Sequence, residues 1–500
     1  MKYISLLLLI AVIGCSCSDD LDLQPISVSS TENFFTTSTD FIQATNAIYA
    51  DLASYPERLL NLSETRSDNM YAISDGGVRD WEGINSFHSS LSGNAYLPDA
   101  WNTNYNGIMR ANTVIKKIEE KGFIITDRAM RNRLKAEARF LRAFYYFDLV
   151  RWFGRVPVFD HPLSPSEALS IPRSPVSKVY DLIISDLEYA EDSLETYYAP
   201  SDLGRATKYA AKGLLALVYM TSSGPTYDVS GPGLGLNEWQ KAENLLDEII
   251  ESGHYSFLPD YKEIFLYNNE YNKEVVFDIN FIKGQTPMLG SHFPALLVPE
   301  NWFSSKGFAT MGGSDRPLSW DLLTKYNPAD KRKKTSVHGP YIYNSKLDTL
   351  SFYIKYVDST AVPPTITLRY DWPVNFIVQR YTDILLLKAE CILHGAEGSQ
   401  KDVDDIVNQV RRRAGLPEIS NVTLELLMNE RRLEFAGEGL RWHDLVRSGL
   451  VTTIIPQWIA REDSRGQMRP FKKEFIIYPI PQSQMDVKVG LYEQTDGYGN

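Results

Sequence analysis

Nine tryptophans, 29 tyrosines and 22 phenylalanines make 12% of this 500-residue chain aromatic, richer than a packed core strictly needs. Rings left in loops can stack on the apolar C–H face of a sugar ring, provided that amide, carboxylate or guanidinium groups at the rim satisfy its hydroxyls. Trp81 occurs in Arg79-Asp80-Trp81-Glu82, with Tyr71 nearby, in a stretch of no helical or strand period. Trp302 and Trp320 occur in Glu300-Asn301-Trp302-Phe303 and Ser319-Trp320-Asp321, in a second such region. Trp81, Trp320, Trp302, Tyr71 and Arg79 are therefore the candidate ligand-binding residues, and packing within a loop core is the competing role of each tryptophan. Trp101, Trp152, Trp239 and Trp442 fall on helical patterns or at their ends, where core packing explains them.

Other chemistries find little support. The chain has no His-Glu-x-x-His, no Gly-x-Ser-x-Gly, no Gly-Lys-Ser/Thr phosphate loop and no Gly-x-Gly-x-x-Gly after a strand. Its seven histidines are scattered without metal-ligand spacing, and Cys391 is the one cysteine beyond residue 17. No catalytic residue, metal or cofactor is assigned. Paired carboxylates among 63 acidic residues are distinguished only by geometry, so a secreted glycoside hydrolase stays as a distant alternative. A net charge of -12 repels phosphate backbones and argues against nucleic acid as a partner.

The elements that position these residues follow from punctuation and period. Residues 1–14 read as a cleaved signal peptide: Lys2 starts it, the run from Leu6 to Ile13 is its apolar region, and Gly14 precedes the cleavage point. Val12-Ile13-Gly14-Cys15 resembles a bacterial lipobox, which makes Cys15 the lipidation site and Cys17 the alternative. Residues 15–30 then form a lipidated start and flexible tether. Residues 31–500 are expected as a single globular domain, with an N-terminal half over about 31–260 and a C-terminal half over about 261–500.

Helical spacing marks Asp40–Leu52, a run from Trp101 through Ile118, Leu134–Leu149, a helix opened by Ser174 as N-cap and Pro175 as its first residue, Ala206–Tyr219 and Trp239–Ile250. Ser63–Pro98 reads as a long loop. Phe277, Ile279 and Phe281 alternate like a half-buried strand, as do Phe352, Ile354 and Tyr356, among Gly/Pro/Asn-rich connections. Helices return at Tyr381–Leu393, at Ser399–Arg413 behind a Ser399-x-x-Asp402 capping pattern, at Leu424–Phe435 and at Leu440–Arg447. The fold class is mainly α: degenerate tetratricopeptide-like helix pairs with a loop-rich, partly β central insertion.

Two stretches carry dense opposite charge on helical patterns, Ala136–Arg151 and Asn429–Leu445, and ion pairs locking adjacent helices account for them. These stretches also resemble the RagB/SusD (SusD-like) family of Bacteroidetes outer-membrane nutrient-binding lipoproteins. The likeness extends through Trp101-x3-Tyr105-x2-Ile108-x3-Asn112, Phe153-Gly154-Arg155-Val156-Pro157, Arg380-Tyr381 to Ala389-Glu390, Glu430 to Gly449, and Tyr478-Pro479-Ile480-Pro481-Gln482-Ser483-Gln484. Asp383 stands where that family usually has Glu.

The resemblance implies four tetratricopeptide-like helix pairs, a lipid anchor in the outer membrane, and binding of oligosaccharides, or of peptides in some branches, without enzyme activity. It also implies a SusC-like TonB-dependent outer-membrane transporter as partner. Family members place their ring platform in loops of the two regions that contain Trp81 and Trp320.

Overall fold

A computed structural model of the chain describes residues 34–73, 79–308, 316–362 and 366–498. The expected leader and tether, with Cys15 and Cys17, lie outside them. The longer helices are α1 (Ser38–Ala50), α2 (Tyr96–Lys121), α3 (Arg128–Phe153), α4 (Val176–Ser193), α5 (Lys208–Ser223) and α6 (Trp239–Glu251). After an inserted region come α7 (Tyr381–Leu393), α8 (Gln400–Ala414), α9 (Leu424–Glu434), α10 (Arg441–Arg447) and α11 (Val451–Glu462).

Each helix from α3 to α9 lies against the one before it. The result is four successive helix pairs, α2/α3, α4/α5, α6/α7 and α8/α9, the third split by the insertion. Short local signals explain several boundaries. Thr37 and Asp40 form a capping box at α1 and Ser399 and Asp402 another at α8, while Gly415 ends α8 in the left-handed conformation that glycine adopts without a Cβ clash. Gly107 serves closeness instead: a Cβ there would stand 2.2 Å from the Tyr145 ring, so only glycine lets α2 and α3 approach at that point.

One hydrophobic core runs from Phe35 to Tyr498, and a smaller cluster of Leu386, Val403, Val407, Leu427 and Met428 holds α7, α8 and α9 together. The charged stretches are buried between helices as ion pairs. Arg142 on α3 meets Asp186 on α4 at 2.7 Å, Glu137 meets Arg205 at 2.8 Å, and Asp148 meets Arg58 at 3.0 Å. Asp383, the departure from the family pattern, pairs with Arg431 at 2.8 Å, so the shorter acid still reaches its partner.

Three expectations are corrected. Helix α4 begins at Val176 with Pro175 as its N-cap, because Ser174 is taken up in a β-bridge to Val156. The strand read across Phe352, Ile354 and Tyr356 is only Phe352–Tyr353. Ser63–Pro98 is no continuous loop: Leu60–Glu64 is a π-helical turn and Asp80–Asn85 a short helix.

The insertion's longest strand, β1 (Val275–Ile279), pairs antiparallel with β2 (Phe376–Arg380), the strand that leads directly into α7. It is buried on both faces rather than one, and that places Asp278 inside the protein. Burial pushes the Asp278 carboxyl up to about 7, against the hydrogen bond donated by Asn375 Nδ2 at 3.0 Å. A carboxyl raised on folding stays protonated in the native state after the unfolded chain has lost its proton. The contribution of Asp278 to stability therefore falls as pH rises from about 4 to about 7, then levels off. Asp278→Asn keeps the shape and an acceptor for Asn375 without the ionisation. Melting curves at pH 4 and pH 8 should show no gain at the lower pH and roughly 2 kcal/mol at the higher, relaxation around a buried charge softening the full linkage value. Equal stability changes at both pH values would refute this account.

Candidate functional site

Residues 69–71 and 316–319 run antiparallel and touch as a short bridge. Met70 faces Leu318, Tyr71 N donates to Pro317 O at 3.0 Å, and Ser319 N donates to Asn69 O at 2.9 Å. This bridge gathers four of the five candidate residues. At one end, the Arg316 guanidinium lies 4.7 Å from the centroid of the Trp81 ring, and Arg79 approaches the same ring at 5.5 Å. At the other end, Trp320 opens a short helix, Trp320–Lys325. Four steps of extended chain, through Pro317, Leu318 and Ser319, separate Arg316 from Trp320, about 13 Å.

Trp320 is 71% exposed although its backbone is tightly held. The Glu462 carboxylate, at the end of α11, accepts from Trp320 N at 2.6 Å and Asp321 N at 3.1 Å, placing negative charge at a helix N-terminus. Ser319 caps the same turn, its Oγ accepting from Leu322 N and donating to Asp68 O at 2.6 Å. Asp321 is locked in turn by Arg432 at 2.7 Å and Arg461 at 2.9 Å. A free ring on a fixed backbone is a preorganised stacking platform that loses little chain freedom when a ligand settles on it.

Tyr71 is half-buried and its hydroxyl donates to Asp463 Oδ1 at 2.9 Å. Burial pushes the phenol's pKa up, and the hydrogen bond to Asp463 adds to the rise, so the hydroxyl keeps its proton. Burial would also raise the Asp463 carboxyl, but the N–H groups of Met468 and Gln467, at 2.8 and 3.0 Å, outweigh it and hold the acid below its usual range. The site thus offers one exposed indole, two half-buried rings, and ionised groups that can accept from or donate to hydroxyls.

Trp302 does not belong with the others. It is 2% exposed, on the short helix Glu300–Ser305, and packs against Phe303, Phe352 and His338 with ring centroids 5.3, 5.8 and 5.9 Å away. Packing in the inserted region, the competing role, is the one it fills.

Arg316 is the functional candidate that sequence reading missed. It is buried, its guanidinium donates to Asn61 Oδ1 at 2.7 Å, and burial lowers its pKa against the opposing charge of Glu57. Nothing in Asp315-Arg316-Pro317 signals a cation held against a tryptophan 235 positions earlier; only the chain's return makes it one.

Among the described residues no cluster of three or more His, Cys, Asp or Glu side chains could hold a metal ion. No described helix is long and apolar enough to cross a membrane.

Two family models match the chain: one described as the SusD family over residues 321–498, the other as starch-binding associating with outer membrane over residues 21–220. By both models the chain is similar to the SusD family. A SusD-like protein of Bacteroides ovatus is 26% identical over 87% of this chain and 80% of its own length. The starch-binding protein SusD of Bacteroides thetaiotaomicron is 25% identical over 73% of both. Among solved structures, surface glycan-binding protein A of the same species, in complex with laminarihexaose, superposes with a TM-score of 0.78 at 25% identity, over 92% of this chain and all of that one. The SusD-like mainly α architecture, with small sheets only, agrees with the sequence reading of helix pairs around an inserted region.

Proposed function

We propose that this SusD-like chain is a binding protein for oligosaccharides, displayed on the outer membrane by lipid at Cys15, that delivers its ligand to a SusC-like TonB-dependent transporter. It captures rather than cleaves. The observation that carries the reading is Trp320, an indole held out on a backbone fixed by Glu462, with Tyr71 on the adjoining bridge and Trp81 against its Arg316. The laminarihexaose complex of a 25%-identical relative supports a glycan over a peptide.

An array of neutral and anionic oligosaccharides identifies the ligand, and calorimetric titration then measures it. Trp320→Ala should weaken binding roughly tenfold, about 1–2 kcal/mol, and leave the melting temperature unchanged, because an exposed ring contributes little to the core. Undiminished binding would remove Trp320 from the site.

Attachment and partnership are tested together on protein extracted from its native membrane in mild detergent. Mass spectrometry should find acyl chains on Cys15, since stable anchoring takes more than one. A large β-barrel should copurify. An unmodified N-terminus would end the anchor, and recovery of the lipoprotein alone at native expression would end the transporter pairing.

A further inference from the structure

A cleft of about 560 Å³ that shares no lining residue with the Trp320 face lies between the outer face of α2, the connection that follows α3 and the segment around Tyr492. Its wall is a run of rings. Trp101 and Tyr105 stand 5.1 Å apart between centroids, Trp101 and Tyr492 5.9 Å, and Tyr105 and Phe159 are stacked at 5.8 Å with 17° between their planes. Polar groups sit at the rim as amides. Asn102 Oδ1 accepts from Gln484 Nε2 at 3.0 Å, which leaves the remaining amide atoms of both for a ligand, and the Asn106 amide is exposed one helical turn from Asn102.

No lining residue carries charge. That separates it from another large cleft, of about 570 Å³, which is lined by Glu57, Asp202, Arg205 and His292 among others, and from the Trp320 face with its Arg79, Arg316, Glu462 and Asp463. An uncharged aromatic wall with an amide rim suits the apolar faces and hydroxyls of sugars, and no lining side chain offsets a carboxylate, sulfate or ammonium. The volume falls in the range of small-ligand sites. We infer that this cleft is a second carbohydrate site, distinct from the Trp320 face and selective for a short stretch of uncharged glycan. The inference rests on the reading of the chain as a glycan binder and adds a place and a charge preference to it.

Position on α2 makes the two sites separable. Tyr96, at the start of α2, lies within 5.8 Å of Arg316 on the Trp320 face. Trp101, five residues on, is turned roughly 140° around the helix axis from it. A glycan on one face therefore leaves the other open.

The test titrates the full chain with laminarihexaose, maltohexaose, cellohexaose and xylohexaose, and with an alginate hexamer as the charged contrast. Three variants are compared: Trp320→Ala, Asn106→Ala, and Ala168→Trp, the last filling the mouth from an exposed position. Two classes of site are expected for a neutral hexamer in the wild type. Each cleft variant should weaken one class about tenfold while preserving the Trp320-dependent one and the melting temperature. The cleft class should ignore the alginate hexamer.

A single class, lost in Trp320→Ala and untouched in both cleft variants, would overturn the second site and leave the proposed function standing. A single class lost in the cleft variants alone would keep the cleft and remove the Trp320 face. Binding of alginate in the cleft would overturn its charge preference, and failure of every oligomer to bind would overturn both readings.

Discussion

Glu434→Ala should destabilise the protein by about 3–5 kcal/mol, because it removes the anion on which three buried guanidiniums converge. Glu434 accepts from Arg413 at 2.6 Å, Arg380 at 2.8 Å and Arg332 at 3.1 Å, and all four side chains are essentially inaccessible to water. Glu274, Glu438, Asp330 and Glu430 balance the remaining positive charge, that of Lys355 included. Without Glu434, Arg413 keeps Glu274 as its one carboxylate. Glu434→Gln retains the shape and one acceptor oxygen and should cost less. Burial alone would raise the Glu434 carboxyl, but Arg413, Arg380 and Arg332 outweigh it and hold the acid far below its usual range.

A carboxyl lowered on folding contributes stability that is present above its unfolded pKa of 4.5 and is lost as pH falls below it. Wild-type stability should therefore drop steeply on acidification from about pH 5, and the Gln variant should drop less over the same window. Asp68 adds to the wild-type slope: burial would raise it, yet Arg432 and Arg441 hold it at about 2. Denaturant titration at pH 7 and pH 4 measures both effects. A Glu434→Ala protein as stable as wild type at pH 7 would show that the neighbouring acids suffice, and the network would lose its structural role.

That network also explains which parts of the fold could be read from sequence. The span Tyr381–Leu393 and the Ser399 capping box were legible to the residue, because apolar periodicity and cap chemistry are local. Ser63–Asn69 was not. Its seven residues, Ser-Glu-Thr-Arg-Ser-Asp-Asn, look like solvent-facing loop, yet all are buried. Arg66 donates to Ile84 O, Phe475 O and the Tyr498 hydroxyl, and Asp68 takes both Arg441 and Arg432. A polar segment buried by partners some 370 to 430 positions away carries no hydrophobic period, so pattern reading places it outside. The same limit governed the candidate site. Ring chemistry nominated Trp81, Tyr71 and Trp320 from residue type alone, and it nominated Trp302 with equal force. Exposure, which separates them, is set by the insertion's tertiary packing.

Trp302→Ala should lower stability by about 3–5 kcal/mol and leave glycan affinity within a factor of about two, the reverse of Trp320→Ala. The Trp302 indole fills the space between Phe303 and Phe352 and lies against His338 on the neighbouring two-residue strand, Val337–His338. Its loss leaves a cavity that these rings, themselves fixed by Tyr341 and Trp372, can close only in part. Among the described residues the Trp302 Nε1 has no hydrogen-bond acceptor, so part of the indole's burial is already offset by an unpaired N–H. Trp302→Phe discards that N–H and keeps most of the apolar surface, and it should recover more than half of the stability lost in Trp302→Ala. Paired melting curves and calorimetric titrations of the Ala, Phe and wild-type proteins decide the matter. Weakened binding by a Trp302→Ala protein that melts like wild type would return this tryptophan to the ligand site and place the platform deeper in the insertion.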